Sequence, residues 1–208
     1  DRLRSRGLGD VYKRQIWNKL IFKRGFVMKY YLVALFDEES CKSLESIQRG
    51  LLRKYKLPRN HISLHIPLET IDNPNLDKLD EVVLKLIKPY KKFKIELTGS
   101  AEFNESTNKA LNLQIENKGY IKKIHRLFND MLKLHGFNVR ERVDSPLYIP
   151  INTPNFKENH KKNNTQPTVF NLRESSQKNI LKISKIELWR FQNNKREIPV
   201  KSYDLRNY

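Results

Sequence analysis

The stretch that decides the fold is residues 59–68, RNHISLHIPL. Its β-branched and apolar residues predict a short strand that ends at Pro67. Because alternate residues of a strand share a face, the polar side chains of His61, Ser63 and His65 point one way and the intervening apolar ones face the core. Two imidazoles and a hydroxyl on one face can transfer protons and hold an anionic oxygen.

The segments on both sides of this stretch alternate between strand and helix patterns. They contain too few helices for a doubly wound sheet, which predicts an α+β fold with antiparallel strand pairs. Residues 152–179 are rich in Asn, Lys and Ser and predict a long mobile loop. Two halves of similar content are visible, but we find no repeat at the level of sequence. The strand patterns cover residues 30–36, 93–97, 111–115, 183–191 and 198–203, and the helix patterns cover 44–55, 76–87 and 121–131.

The composition excludes several classes of protein. The chain has 208 residues, 38% of them hydrophobic and 10% aromatic, which is enough for a buried core. A single cysteine, Cys41, excludes an internal disulfide and a cysteine-based zinc site, and it suits a reducing, cytoplasmic environment. The sequence lacks the run of about 18 apolar residues that a membrane-spanning helix needs, so we expect no membrane association.

The beginning of the chain differs in character from the rest. Residues 5–15, SRGLGDVYKRQ, read as the conceptual translation of a transposon sequencing adaptor. We therefore interpret residues 1–15 as an assembly artefact and residues 16–27 as an uncertain leader or read-through. On this interpretation residues 28–208 form a single domain.

The net charge of +18 indicates an affinity for polyanions. Residues 1–27 carry eight basic and two acidic side chains, a surplus of six, so residues 28–208 keep a net charge of +12. Nucleic acid is the commonest polyanion in a cytosol. The codon bias of an AT-rich genome, which favours Lys, Asn and Ile, explains the same charge equally well.

The HISLHIPL segment at residues 61–68 resembles the first motif of the 2H phosphoesterases, the 2′-5′ RNA ligase-like family. That motif is a His-x-Thr/Ser pattern on a central strand. The resemblance covers residues 28–208 and includes the YYLVALF, FKIEL, ALNLQI and IELWRF strands and the IKKIHRLFNDMLKL helix. It implies two pseudo-symmetric lobes of antiparallel sheet, with helices on the outside and a shared central cleft.

The resemblance also implies a chemistry. His61 would be the acid or base of the first lobe, and Ser63 would hydrogen-bond the phosphoryl oxygens as charge develops on them. His65 lies outside the catalytic pair and lines the same face. The implied reaction is a phosphodiesterase reaction without metal or cofactor, on RNA ends, 2′,3′-cyclic phosphates or 2′-5′ linkages. The implied partners are RNA, oligonucleotides or cyclic nucleotides.

The second motif of the family is degenerate in this chain. It should follow the third helix, and Pro146 aligns with its first residue. Leu147 then stands where the second histidine is expected and Ile149 where the threonine is, and neither side chain can transfer a proton or donate a hydrogen bond. We expect these two side chains to face the cleft and Tyr148, between them, to point away.

Four interpretations remain open. The protein is an active phosphodiesterase with a replacement group, for which His65, Tyr148 and His160 are candidates. It is a slow hydrolase with one histidine, because losing a proton-transfer partner costs about 10²–10⁴ in rate. It is a degenerate relative that binds RNA ends or cyclic nucleotides without turnover. Or the cleft is unused and the protein acts through its surface. The simplest interpretation of His125, His135 and His160 is that all three are surface residues.

Overall fold

The computed structural model describes residues 27–58, 62–104, 110–139, 146–152, 168–171, 180–191 and 197–207. Within these ranges the chain forms three helices and nine strands. The helices are α1 (Glu38–Lys54), α2 (Leu76–Ile87) and α3 (Gly119–Leu134). The strands are β1 (Lys29–Phe36), β2 (His65–Asp72), β3 (Phe93–Asn104), β4 (Ala110–Ile115), β5 (Asn138–Val139), β6 (Tyr148–Pro150), β7 (Thr168–Asn171), β8 (Ile180–Phe191) and β9 (Glu197–Asp204).

The strands form one antiparallel sheet in the order β5-β2-β1-β8-β3-β4-β6, with β7 paired to β3 and β9 paired to β8. Long strand β8 joins the two lobes. Its first residues pair with β3, its later residues pair with β9, and β1 runs along its other edge. The prediction of an α+β fold with antiparallel pairs is confirmed.

The two lobes have matching construction. In the first lobe β1 pairs with β2, and in the second β4 pairs with β6. Helices α1 and α3, which follow β1 and β4, each contact the other lobe. Gln48 of α1 donates to the carbonyl of Ile151, just after β6. Asn129 of α3 donates to Glu69 of β2. The buried sides of the helices and one face of the sheet share a single core, so all three helices cover that face.

Local signals in the sequence explain where the helices begin and end. Asp37 is the N-cap of α1, and its carboxylate accepts from the backbone N–H of Ser40 at 2.9 Å. The Asn75 amide oxygen caps α2 in the same way by accepting from Lys78. Gly136 has a φ of +78° just after α3, a conformation that a residue without Cβ adopts without strain.

The prediction of a strand that ends at Pro67 is wrong. Strand β2 begins at His65 and continues through the proline to Asp72. Pro67 pairs with Val33 while the next pair joins Leu32 to Glu69, so β2 has one extra residue at this point. A bulge of this kind tolerates a residue that lacks an N–H, because the ladder is already interrupted there.

The long loop expected at residues 152–179 contains a short strand. Residues Thr168–Asn171 form β7, which pairs with β3. The remainder of the predicted loop after Asn152 lies outside the described residues, as do residues 1–26, to which the artefact and leader interpretations apply. Among the described residues, none of the helices is long and apolar enough to cross a membrane.

Candidate functional site

The first motif is described from its second residue onward. His61 lies outside the described residues, so its predicted role stays a prediction. Ser63 is exposed just before β2, and its backbone N–H donates to Glu197 at 3.3 Å. Its hydroxyl has no hydrogen-bond partner within the described ranges. A ligand that reaches this point would therefore meet a free hydroxyl donor.

A cleft of about 830 Å³ opens beside Ser63. Its walls are the end of β1, one side of α1 and residues 62–64, with charges of both signs: Lys185 and Arg49 against Glu38 and Glu45. Two of these charges already have partners in the structure. Lys185 pairs with Glu187 at 2.7 Å, and Glu38 pairs with Lys42 one turn along α1.

His65 is the histidine of the first motif that lies within the described residues. It is only 6% exposed, and its ring packs edge-on against Trp189 with centroids 4.8 Å apart. Nδ1 lies 2.7 Å from the carbonyl oxygen of Ser63. A carbonyl can only accept, so Nδ1 carries the hydrogen and Nε2 keeps a lone pair. Burial lowers the pKa of His65 to about 4, against the opposing effect of the Ser63 hydrogen bond, and the imidazole is neutral at pH 7.

His65 lies on the face of the sheet opposite the helices, which we call the helix-free face. Its neighbours Leu64 and Ile66 belong to the core and therefore point the other way. The same face carries Glu187 and Trp189 of β8, and each of these is less than a tenth exposed. In the second lobe the helix-free face carries Gln114 and Tyr148, which pair across β4 and β6.

Glu187 is the centre of a polar cluster on this face. It accepts from the Trp189 indole N–H at 2.6 Å, from the Lys185 ammonium at 2.7 Å and from the Ser202 hydroxyl at 3.3 Å. Burial acts to raise the pKa of Glu187, but the hydrogen bonds from Lys185, Trp189 and Ser202 outweigh it and the pKa lies below its usual value. The cluster is therefore anionic at its centre and fixes the indole beside His65.

The expected orientation of the second motif strand is wrong. Leu147 is 6% exposed and Ile149 is completely buried, and both belong to the hydrophobic core under the helices. Tyr148 points to the opposite side, as the alternation predicts, but that side is the helix-free face. The prediction was wrong because the alignment through Pro146 assigned the motif positions to Leu147 and Ile149, which lie on the apolar face of the strand.

A polar network continues the helix-free face in the second lobe. Ser100 shares a hydrogen bond with Thr98 at 2.6 Å and donates to the Gln114 side chain at 2.8 Å. The Gln114 amide in turn reaches Glu102 at 3.3 Å. These bonds hold Gln114 in place directly across the ladder from Tyr148.

Strand pairing exposes a short internal repeat that the sequence search missed. Residues 64–69 read LHIPLE and residues 147–152 read LYIPIN, with Leu, Ile and Pro in the same places. The two segments have the same alternation of core and helix-free positions, and each ends in a buried polar residue, Glu69 or Asn152. A repeat of six residues is too short to recognise from the sequence before the strands are known. The signal that the sequence did contain was the shared Leu-x-Ile-Pro pattern. By this repeat, His65 and Tyr148 occupy equivalent positions.

Of the remaining histidines, the two that are described, His125 and His135, belong to α3 and its C-terminal end. His125 of α3 was expected at the surface, and this is wrong: it is 3% exposed, with Nε2 3.5 Å from Glu69. Burial is the main cause that lowers its pKa. His135 is half-buried at the end of α3, and His160 lies outside the described residues. No three His, Cys, Asp or Glu side chains of the described ranges are grouped to hold a metal ion.

Comparisons with known proteins identify the fold. No family model matches the chain, and no curated protein matches it by sequence. Several solved structures match it over nearly their whole length. A crystal structure titled as a phosphoesterase and that of E. coli LigT without ligand each superpose with a TM-score of 0.56 at 13% identity, covering 87% of this chain and 99% of theirs. TT0787 of Thermus thermophilus superposes with a TM-score of 0.53 at 16% identity, over 86% and 99%. This chain therefore has the fold that LigT and these other structures share.

Proposed function

We propose that this protein is a 2H-type phosphodiesterase that acts on RNA ends, 2′,3′-cyclic phosphates or 2′-5′ linkages. The observation that carries the proposal is the position of Ser63. Ser63 is one of the residues that line the cleft of about 830 Å³, two residues after His61, in a fold shared with a phosphoesterase. A hydroxyl at such a point can donate to a phosphoryl oxygen as negative charge develops there.

The reaction adds water across a phosphorus–oxygen bond. A water oxygen attacks phosphorus while its proton passes to a base, and the ribose oxygen leaves with a proton from an acid. His61 fills one of these two roles in the proposal. The protein's net charge of +12 over residues 28–208 favours a polyanionic substrate.

Nucleotides are suitable first ligands. LigT has been crystallised with 3′-AMP, ATP and NADP+, each of which carries phosphate on a ribose. We infer that the cleft of this chain takes a ligand of the same chemical kind, with the phosphate towards Ser63. Turnover then depends on whether a second proton-transfer group stands opposite His61.

A second function, nucleotide or RNA binding without turnover, is favoured by one specific observation. On β6 the position equivalent to His65 is a tyrosine, Tyr148, so this strand supplies no imidazole to the site. A site with one proton-transfer residue would keep its phosphate contacts and lose most of its rate.

The test is hydrolysis of 2′,3′-cyclic AMP and of an RNA oligonucleotide with a 2′,3′-cyclic phosphate end, followed by ³¹P NMR. We expect turnover by the natural protein, its loss in His61→Ala and a loss of roughly 10²-fold in Ser63→Ala. His135→Ala is the matched control, because this histidine lies at the end of α3, and it should leave the rate unchanged.

Two other outcomes are informative. Binding of 3′-AMP without any turnover, and with affinity lost in Ser63→Ala, would establish the binding module instead. If the protein neither binds 3′-AMP nor hydrolyses either substrate, the proposed site is rejected altogether.

A further inference from the structure

Two basic segments that are distant in the sequence meet in the fold. Residues 85–94, KLIKPYKKFK, and residues 117–129, NKGYIKKIHRLFN, together contain nine basic and no acidic residues. The first segment runs from the last turn of α2 into β3, and the second begins just before α3 and continues along it. Codon bias raises the lysine content of a whole chain, but it does not remove Asp and Glu from two segments that fold together.

The antiparallel packing of α2 and α3 brings these segments side by side. At one end of the helix pair, Lys78 near the start of α2 donates to the carbonyl of His135, just after α3, at 2.9 Å. At the other end, the ring of Tyr90, which follows α2, contacts the ring of Tyr120 in the first turn of α3, with centroids 6.2 Å apart. The ring of Phe93, a core residue, lies 5.9 Å from that of Tyr120. The end of α2 therefore lies beside the start of α3.

This arrangement leaves an aromatic ring exposed among basic side chains. Tyr120 is 57% exposed, although the two neighbouring rings hold it in place. Lys88 and Lys91, on either side of Tyr90, are exposed, and so is Lys123, which is a surface neighbour of Tyr120 on α3 because it lies three residues further on. We call these five residues the Tyr120 surface.

The backbone that carries the lysines of the first segment is held in place. The N–H of Lys92 donates to the carbonyl of Arg206 at 2.9 Å, and Lys91 and Arg206 form a parallel bridge. Arg206 is exposed and adds a further cation next to the surface. A fixed backbone lowers the entropy that is lost when a ligand binds.

Acidic side chains beside the surface lie around Lys118, which precedes α3. Glu96 forms an ion pair with this lysine at 2.8 Å. The hydrogen bond from Lys118 to Glu96 and, to a smaller extent, the charge of Glu116 raise the pKa of Lys118. We therefore leave Lys118 out of the Tyr120 surface, since its charge is already balanced by a local partner.

We propose that the Tyr120 surface binds single-stranded nucleic acid, with a base stacked on the Tyr120 ring and phosphates on Lys88, Lys91 and Lys123. Stacking on an aromatic ring accepts any base, because every base has a π-face, and lysines bind phosphates without reading the sequence. A duplex keeps its bases stacked inside and can use only the lysines. The residues that line the cleft beside Ser63 include none of this surface, so the inference goes beyond the proposed function and does not rest on it.

The test is fluorescence titration of the full chain with labelled oligouridine and oligodeoxythymidine of about twelve nucleotides. We expect Tyr120→Leu to weaken binding by about 10-fold or more, whereas Tyr120→Phe, which keeps the ring, should bind as the natural protein does. Lys88→Gln combined with Lys123→Gln should lower the slope of log affinity against log salt by about 0.7 for each phosphate contact that is lost. The tighter of the two oligonucleotides identifies the natural ligand as RNA or DNA.

Arg53→Gln combined with Lys54→Gln is the matched control for the change in charge. Both side chains are exposed at the end of α1. The next residue, Tyr55, stacks on Phe103 with centroids 5.0 Å apart, and Phe103 lies near the far end of β3 from the Tyr120 surface. This pair should leave the slope against salt unchanged.

Three results would overturn the inference. The first is a Tyr120→Leu variant that has the natural melting temperature and binds both oligonucleotides as tightly as the natural protein. The second is an RNA duplex of the same length that binds as tightly as the single strand, which would mean that the lysines alone attract a polyanion. The third is a control pair that lowers the slope as much as the Lys88 and Lys123 pair does. Binding of 3′-AMP at the cleft should be the same in Tyr120→Leu and the natural protein, so this measurement separates the surface from the proposed function.

Discussion

At His65, burial and a backbone hydrogen bond act on the same imidazole in opposite directions. Burial disfavours the charged ring, while the Ser63 carbonyl favours a hydrogen on Nδ1. As a result the imidazole is neutral, carries its hydrogen on Nδ1 and packs edge-on against Trp189. A sequence pattern can place His65 on a strand face, but it cannot supply this environment, because the indole comes from β8, far along the chain.

This environment predicts how stability depends on pH. The pKa of His65 is about 4 when folded and about 6.5 when unfolded, so the unfolded chain binds more protons between these values. The contribution is fully present above about pH 6.5 and is lost as the pH falls towards 4. We expect the natural protein to lose about 2 to 3 kcal/mol more between pH 7 and 4.5 than His65→Gln does, since a shift of one pKa unit is worth about 1.4 kcal/mol.

Urea unfolding of both proteins at the two pH values measures this difference directly. Equal losses would mean that the imidazole is protonated in the folded state, contrary to its burial. His135→Gln, at a half-buried position, is the control and should behave as the natural protein does.

At the scale of elements, signals that are local in sequence were sufficient to predict individual strands and helices. The strand pattern at residues 30–36 and the helix pattern at residues 44–55 both predicted elements that the structure contains, β1 and α1. The end of β2 was predicted at Pro67 instead of Asp72, because Pro67 is accommodated by a bulge that depends on the partner strand. The burial of His125 was missed for a related reason: its partner Glu69 lies 56 positions earlier in the sequence.

Strand β6 shows how an alignment that is shifted by one residue assigns the site to the wrong face of a strand. The family alignment assigned the motif to Leu147 and Ile149, and the apolar character of both was interpreted as degeneracy. In the structure they are ordinary core residues, and the neighbouring Tyr148 lies on the other face of the strand. A shift of one position exchanges the two faces of a strand, so motif spacing without burial cannot settle the assignment.

The orientation of β6 predicts the effect of rebuilding the second motif at the aligned positions. Leu147→His with Ile149→Thr puts two polar groups into the core and removes apolar contacts. We expect a loss of about 2 to 5 kcal/mol in unfolding free energy and no gain in phosphodiesterase activity. Tyr148→His on the same strand is the control and should cost less than about 1 kcal/mol.

Urea denaturation and the cyclic phosphate assay would decide this together. A double variant that is as stable as the natural protein and hydrolyses 2′,3′-cyclic AMP faster would show that these positions face the cleft after all.

At the scale of the whole molecule, the fold begins at Met28 in the described residues. Its backbone N–H donates to the Asn73 side chain at 2.7 Å, and its carbonyl accepts from the Asn73 N–H at 2.8 Å. We propose that residues 1–27 contribute nothing to stability. A chain of residues 28–208 should melt within about 2 °C of the full chain, because its terminal amine can still donate to Asn73.

Calorimetry of the two chains tests the proposal. A melting temperature lower by more than about 4 °C would correspond to roughly 1 kcal/mol or more for a chain of this size and would contradict it.

The net charge of the molecule predicts salt-dependent binding of RNA. If four phosphates contact basic side chains, the affinity for a single-stranded oligonucleotide should fall by roughly 50-fold between about 50 and 200 mM salt. Fluorescence titration measures this, and polyglutamate of equal charge is the control for a nonspecific polyanion. RNA that binds no better than polyglutamate would leave genome composition as the explanation of the charge.

We propose that this chain uses the fold it shares with LigT to place a ribose-linked phosphate beside the first motif. A crystal structure with 3′-AMP tests it most directly. We predict the phosphate within hydrogen-bonding distance of the Ser63 hydroxyl, in the cleft between that residue and α1. A nucleotide bound with its phosphate away from Ser63 and His61 would contradict the claim.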